Sequence, residues 1–432
     1  MKTTTENTLN RAIGKLGYGA MNINSVIGAG IFGLPAVVAA KAGYFSPWAF
    51  LLGGLLVITI VLSVARAASM FRSTGGIIVY ATHAFGPFVG FQAGWLSYLS
   101  RVAAMGANTN LLVTYASWFW APLDGDPWRA VALTVLIGSL TWLNVAGIKN
   151  SVTATYVFTV LKLVPLSLLV LFGMGEVDIG TLMHGADLPE FGKLGEIILV
   201  LLYAYVGFEG TVVNAGEGKS PRKDLPGALI HSIIFIGVFY FLIQVATIFT
   251  LPGLATSEAA LADMAFVLFG QAGAVVLIMG ALFSIGGNLF ASLLSAPRMT
   301  FALARAGTMP HWFSAVHEKH RTPHHSIWFY GFLCLVMALS GSFIWLAIMS
   351  TLVRLLAYMV CIAALPILEK TTEHYEGQFR IPGGFFIPAL AFGLCFWLLT
   401  QASADAWLTM LGFIVAGSGL YWYSRRQKSG ET

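Results

Sequence analysis

The chain reads as an all-α membrane protein of twelve transmembrane helices, arranged as a 5+5 inverted repeat with broken helices 1 and 6, plus two accessory helices. Three observations predict this. Hydrophobic residues make up 57% of the 432 residues and charged residues only 10%, with a mean hydropathy of +0.79, whereas a soluble globular chain carries about 25% charged residues. Apolar windows of about 20 residues, the length that crosses a bilayer, recur along the whole sequence. The first and sixth of those windows carry glycines at their centres, in segments where a spanning helix would normally be continuous.

The windows fall near 16–40, 46–68, 84–116, 129–147, 151–174, 194–216, 226–252, 268–300, 326–342, 344–367, 383–401 and 405–424. Residues 16–174 would form the first five-helix repeat, 194–367 the second, and 383–424 the accessory pair. No Pro-, Gly- or Ser-rich linker sets off a soluble domain, so residues 1–432 read as one transmembrane domain. The longest pieces outside the windows are 175–193 and 301–325. The first fifteen residues are polar, and no short apolar core with a small-residue cleavage site follows them, so no removable signal peptide is expected. Cys334, Cys361 and Cys395 lie in apolar windows without metal-ligand spacing and read as packing residues.

Basic residues orient the helices. Lys219, Arg222, Lys223, Arg298, Arg305, Lys319, Arg321, Arg425 and Arg426 fall on one side of the predicted membrane, against Lys41, Arg129 and Lys193 on the other. The rule that basic loops stay inside then places both termini in the cytoplasm. The net charge of +5 reports this topology and gives no reason to expect nucleic acid as a partner.

The first break lies in Ser25-Val-Ile-Gly-Ala-Gly-Ile-Phe-Gly-Leu-Pro35. Glycine lets a backbone leave the helix and approach a ligand, and unpaired backbone groups are tolerated at membrane depth only where they line a cavity. The sixth window repeats the feature in Tyr203-Ala-Tyr-Val-Gly-Phe-Glu-Gly210. Two interrupted helices five spans apart, entering from opposite sides, are what an inverted repeat produces. Close helix packing also explains many glycine pairs in membranes, but the matched positions, with a carboxylate beside one of them, favour a site. The half-helix beginning at Ile27, Gly28, Ala29 and Gly30 would offer free N–H groups and the positive end of its dipole to a carboxylate. Unwound carbonyls from Ala204 to Gly207 would meet an amine. Tyr203, Tyr205 and Phe208 are candidates to cover the solute, although aromatic residues are 13% of the chain and any one of them is more often a core or lipid-facing residue.

Four strongly charged side chains lie well inside the windows: Arg101, Lys162, Glu209 and Arg354. Each costs about 2.5–3.5 kcal/mol on insertion scales, so each is a functional candidate by default. Lys162 sits halfway along Val157-Phe-Thr-Val-Leu-Lys-Leu-Val-Pro-Leu166. An amine with apolar neighbours for more than a turn either way is a candidate to load and release a proton. The alternative, snorkelling to an interface, is hard to reach from mid-span. Arginine keeps its proton, so Arg101 and Arg354 must each find an acceptor, and Glu209 is the only deep carboxylate. One arginine could pair with it and leave the other to carbonyls at the broken ends, a bound anion or the substrate. A fixed ion pair that only locks helices together is the competing reading.

Three stretches carry a family resemblance. Ile27-Gly-Ala-Gly-Ile-Phe32, then Gly207-Phe-Glu209 followed by Glu217-Gly-Lys-Ser-Pro-Arg-Lys-Asp-Leu-Pro226, and Ala296-Pro-Arg-Met-Thr-Phe-Ala-Leu-Ala-Arg-Ala-Gly-Thr-Met-Pro310 resemble the amino acid, polyamine and organocation transporter family. The resemblance implies the leucine-transporter fold, an amino acid or related amine as substrate, and alternating access. It places Tyr203 at the family's aromatic gate. It also places the Lys162 amine where related transporters hold a sodium ion, between the first and eighth helices, with the Gly28 carbonyl, Ser284 and Asn288 as neighbours.

Other classes find no support. The histidines fall mainly at loops and helix ends, as in His311, His317, His320, His324 and His325, with no i, i+4 pair facing a carboxylate within a span. No phosphate-binding glycine loop is present, so neither a metal enzyme nor an ATP-driven pump is indicated, and no cofactor is expected. A channel would need repeated carbonyls or a ring of like charges, and an enzyme a nucleophile with its base. The expectation is a proton-coupled, sodium-independent secondary active transporter of L-amino acids in a plasma membrane, such as a bacterial inner membrane. Its partners would be substrate, protons and lipid. Exchange of amino acids or polyamines without net proton coupling is the alternative.

Overall fold

A computed structural model describes residues 13–430 apart from 72–74, 148–151, 185–186, 214, 216–217, 374 and 376–377. Glu217 of the charged loop therefore lies outside the described residues. The chain begins with two helices end to end, α1 (Lys15–Val26) and α2 (Ala29–Ala42), followed by α3 (Ser46–Met70). Next come α4 (Ile77–Phe85), α5 (Pro87–Ser117), α6 (Trp128–Val145) and α7 (Val152–Gly173). The short α8 (Ile179–His184) leads to another end-to-end pair, α9 (Phe191–Tyr205) and α10 (Phe208–Val213). The remainder is α11 (Pro221–Thr250), α12 (Ala260–Arg305), α13 (His324–Ser340), α14 (Phe343–Thr371), α15 (Phe386–Thr400) and α16 (Ala404–Gly430). Among the described residues the only β-type pairing is an isolated bridge between Ile13 and Gly218.

Every apolar window coincides with a helix or an end-to-end pair, and several boundaries move. The third window begins too early: residues 84 and 85 end α4, Gly86 turns the chain with φ +87, and Pro87 opens α5. Proline suits the first turn because the missing N–H has no partner there in any case. The eighth window begins too late, since helix already runs from Ala260 and is kinked at Gly270. Among the described residues, seven segments, including Ala29–Met70, Pro221–Thr250 and Phe343–Thr371, are long and apolar enough to cross a membrane.

Burial divides the helices by role. α3, α11 and α14 carry mostly buried side chains and form the centre of the bundle. α7 turns Val157, Val160, Leu161, Val164, Leu168 and Leu171 outward, all exposed. A row of large apolar side chains on an outer surface is costly against water and natural against hydrocarbon. The chain is thus built as a multi-pass membrane protein with a packed centre and an apolar jacket.

Candidate functional site

Both predicted breaks are present, and they meet. Between α1 and α2 the backbone turns extended at Ile27 (φ −73°, ψ 93°) and Gly28 (φ −135°, ψ −142°). Between α9 and α10 it unwinds at Val206 and Gly207, the latter at φ +122°. That conformation suits glycine, and a side chain there would also collide with the Ser25 carbonyl at 2.6 Å. The Ser25 hydroxyl donates to the Gly207 carbonyl at 2.8 Å and ties one break to the other. On the far side of this tie, α2 and α9 touch through their backbones: a Cβ on Gly30 would stand 2.5 Å from the Ala204 Cα.

A cavity of about 820 Å³ starts at the breaks, where Gly28, Ala29, Gly30, Tyr203 and Gly207 line it. It runs to the end of the bundle that carries Ile13, Gly147 and His320 to Thr322. Toward the opposite end the path is filled. Tyr203 packs edge-on against Phe343 with ring centres 5.8 Å apart, and the Tyr115 hydroxyl donates to the Phe32 carbonyl at 3.0 Å. Among the described residues the cavity therefore opens toward the end bearing the basic loops.

The structure resolves the open question of the intramembrane charges. Glu209 pairs with Arg354, whose Nε lies 2.9 Å from Oε1, with both side chains nearly buried. The other carboxylate oxygen accepts from the Gly207 N–H and the Tyr358 hydroxyl, each at 3.0 Å. Among the described residues Arg101 has no carboxylate within ion-pair distance: its Nη1 donates to the Ser295 hydroxyl at 3.2 Å, and its shielded Nε has no hydrogen-bond partner.

Lys162 is 2% exposed and lies outside the cavity, behind α1. Its amine donates to the Ile27 carbonyl at 2.8 Å and the Asn24 carbonyl at 3.1 Å. The expected neighbours are thereby corrected. The acceptors are the carbonyls of Asn24 in the last turn of α1 and of Ile27 just past its end, where a helix leaves carbonyls without a helical N–H to meet, and Gly28 is not among them. Ser284 is buried with its hydroxyl unpartnered among the described residues. Asn288 instead spans the cavity wall, where its amide donates to the Ser25 carbonyl at 3.2 Å and accepts from Asn108 at 3.2 Å. Asn108 in turn accepts from the Tyr203 hydroxyl. A directional chain of hydrogen bonds thus runs from Tyr203 through two asparagines to the end of α1.

Four expected solute-binding residues stand apart from the cavity. The Ile27 side chain and Ala204 are fully buried in packing. Tyr205 turns the other way and donates to the Phe50 carbonyl at 2.7 Å. Phe208 stacks on Tyr358 at 5.3 Å. Residues not singled out from sequence do line the cavity, notably Asn24, Ser25, Asn108, Asn144, Ser292 and Ser295. Their signal was available: Gly106-Ala-Asn-Thr-Asn110 is a polar run inside an apolar helix, and such groups in a membrane interior usually bond across helices.

A helical membrane bundle whose two helix breaks meet at the head of a cavity lined in part by arginines, asparagines and serines is built as a solute transporter. A family model described as amino acid permease matches residues 13–420, and the chain belongs to that family. It is 27% identical to a serine/threonine exchanger of Bacillus subtilis over 441 residues, covering 99% of each chain. A branched-chain amino acid permease of the same organism is 27% identical over 455 residues, covering 98% of this chain and 95% of its own. A methylthioribose transporter, also from B. subtilis, is 26% identical over 441 residues, covering 97% and 94%. These relatives are transporters, and this protein is a permease and no enzyme.

Proposed function

We propose that the protein is a proton-coupled, sodium-independent secondary transporter of L-amino acids that works by alternating access, with twelve spans in a 5+5 inverted repeat and both termini cytoplasmic. The observation that carries the reading is the Lys162 amine on the Ile27 and Asn24 carbonyls at the foot of the first break. The carbonyl end of a helix is the negative end of its dipole, and a cation there is favoured. A protonated Lys162 would hold α1 against α7, and loss of the proton would weaken that hold. Protonation thereby biases one access state over the other, which is what coupling requires.

The solute's carboxylate would sit at the N–H groups that open α2 at Gly28, Ala29 and Gly30, and its amine at the unwound carbonyls near Gly207. Tyr203, held by Asn108 and packed on Phe343, would form the barrier on the closed side. On this reading the cavity faces the cytoplasm and the structure is the inward-open state.

Exchange without net proton movement is a second reading, favoured by the exchange activity named for the Bacillus serine/threonine relative. Reconstituted liposomes separate the two. A proton-coupled carrier accumulates labelled amino acid under an imposed pH gradient with no amino acid inside, whereas a strict exchanger needs internal amino acid and ignores the gradient.

A further inference from the structure

Arg354 takes the carboxylate of Glu209, and Arg101 remains. Four residues lining the cavity carry guanidinium groups, Arg101, Arg298, Arg321 and Arg354, and one, Glu209, carries a carboxylate; no lysine or aspartate lines it among the described residues. Four minus one leaves +3 before His320 is counted. Arginine does not give up its proton, so this charge is permanent. Low-dielectric walls focus its potential into the space between them.

Arg101 is held in place as a recognition group would be. Its carbonyl accepts from the Tyr330 hydroxyl at 3.2 Å, and Tyr330 shares a hydrogen bond with Ser292 at 2.9 Å. Nη1 is engaged by Ser295. Nη2 lies 3.7 Å from where a Cβ on Gly210 would stand. Gly210 is three residues beyond Gly207 on the mouth side, ~4.5 Å along a helix. α13 thus braces the Arg101 backbone and Ser295 on α12 holds one guanidinium nitrogen, just below the breaks and with a donor edge to spare, while the carboxylate whose charge reaches it, Glu209, is already paired with Arg354. Arg101 is half-buried on the cavity wall and, among the described residues, has no carboxylate in hydrogen-bond contact, so a carboxylate entering the cavity can meet it in a charge-assisted hydrogen bond.

The geometry points to a carboxylate-binding subsite at Arg101, on the mouth side of the helix breaks, that receives a carboxylate of the transported amino acid. The inference rests on the amino acid transport reading above. The carboxylate has two sources: the α-carboxylate, met as the solute moves between the breaks and the mouth, or the side-chain carboxylate of an acidic amino acid seated at Gly28 to Gly30. In both cases the surplus positive charge disfavours cationic substrates such as polyamines and lysine.

The test uses the full-length protein in liposomes, as parent, Arg101→Gln and Arg101→Lys. Counterflow is measured with L-serine, L-leucine and L-aspartate, and the competing probes are serinamide, leucinamide and L-lysine. In the parent, the amides and lysine should compete about tenfold more weakly than the carboxylates, and Arg101→Gln should weaken half-saturation by the carboxylates about tenfold, with partial recovery in Arg101→Lys. Equal losses for all carboxylates identify the α-carboxylate as the ligand; a loss confined to aspartate identifies the side chain. A purely structural arginine would lower protein yield or maximal rate and leave the half-saturation ratio of acid to amide unmoved, which overturns the subsite. If Arg101→Gln does not assemble, Arg101→Lys carries the same test, and a half-saturation ratio of acid to amide equal to the parent's overturns the subsite. Absence of counterflow in the parent with all twenty amino acids contradicts the transport reading itself, a result distinct from normal transport with an indifferent Arg101.

Discussion

The Nζ of Lys162 on α7 lies 2.8 Å from the Ile27 carbonyl at the end of α1, so a side chain from one helix completes the hydrogen bonding of another where that helix is broken. The relationship ties the only buried lysine among the described residues to the backbone that turns toward the cavity. On the proposed mechanism, a shift of α1 relative to α7 would break or remake this contact.

Gly30 tests the closed side. A methyl group there would meet the Ala204 backbone at 2.5 Å, and backbone cannot swing aside as a side chain can. Gly30→Ala should separate α2 from α9 and cost about 1–3 kcal/mol of the closed arrangement. The expected readouts are a lower melting temperature in detergent and greater reactivity of a cysteine placed at Phe343. Unchanged values for both would show that the two helices do not touch as described.

Glu209 and Arg354 should behave as one unit. Removing either partner leaves a buried charge alone, which costs about 3–5 kcal/mol, while removing both costs much less than the sum. The stability of Glu209→Gln, Arg354→Gln and the double variant should therefore be strongly non-additive. The same cycle with Arg101→Gln should show weaker coupling, because Arg101 bonds to Ser295. Equal coupling in both cycles would contradict the pairing.

Accessibility should follow the opening of the cavity. The native Cys334, Cys361 and Cys395 are fully buried, so a single introduced cysteine gives the whole signal. Ala291→Cys, on the cavity wall, and Lys319→Cys should label with a membrane-impermeant reagent from the cytoplasmic face, and Asp178→Cys from the outside. Labelling of Lys319→Cys and Asp178→Cys from one face would refute the proposed topology.

The sequence revealed the helix breaks and the intramembrane charges because each violates what a lipid-spanning helix tolerates, and such violations show locally. Facing directions were harder. Tyr203 and Tyr205 are two residues apart on α9, ~200° around a helix, so only one could face the cavity, and which one depends on the rotation of α9 against α2. The choice between Arg101 and Arg354 as partner of Glu209 likewise depends on where α5 and α14 cross α10. Asn108 and Asn288 escaped because a search guided by charge passes over neutral amides, though they bridge α5, α12 and the end of α1. The Gly28 carbonyl was expected to meet Lys162, but the chain already turns at Ile27, and the carbonyls that accept from the amine are those of Asn24 and of Ile27 itself.

The most direct test of proton coupling is uptake by Lys162→Met in liposomes, driven by a pH gradient and compared with counterflow at equal pH. Methionine keeps the apolar stem and removes the amine that holds the Asn24 and Ile27 carbonyls. Counterflow should survive at reduced rate while accumulation driven by the pH gradient is lost. Accumulation equal to that of the parent protein would contradict this coupling role and would make Lys162 a structural cap on α1, with coupling located elsewhere.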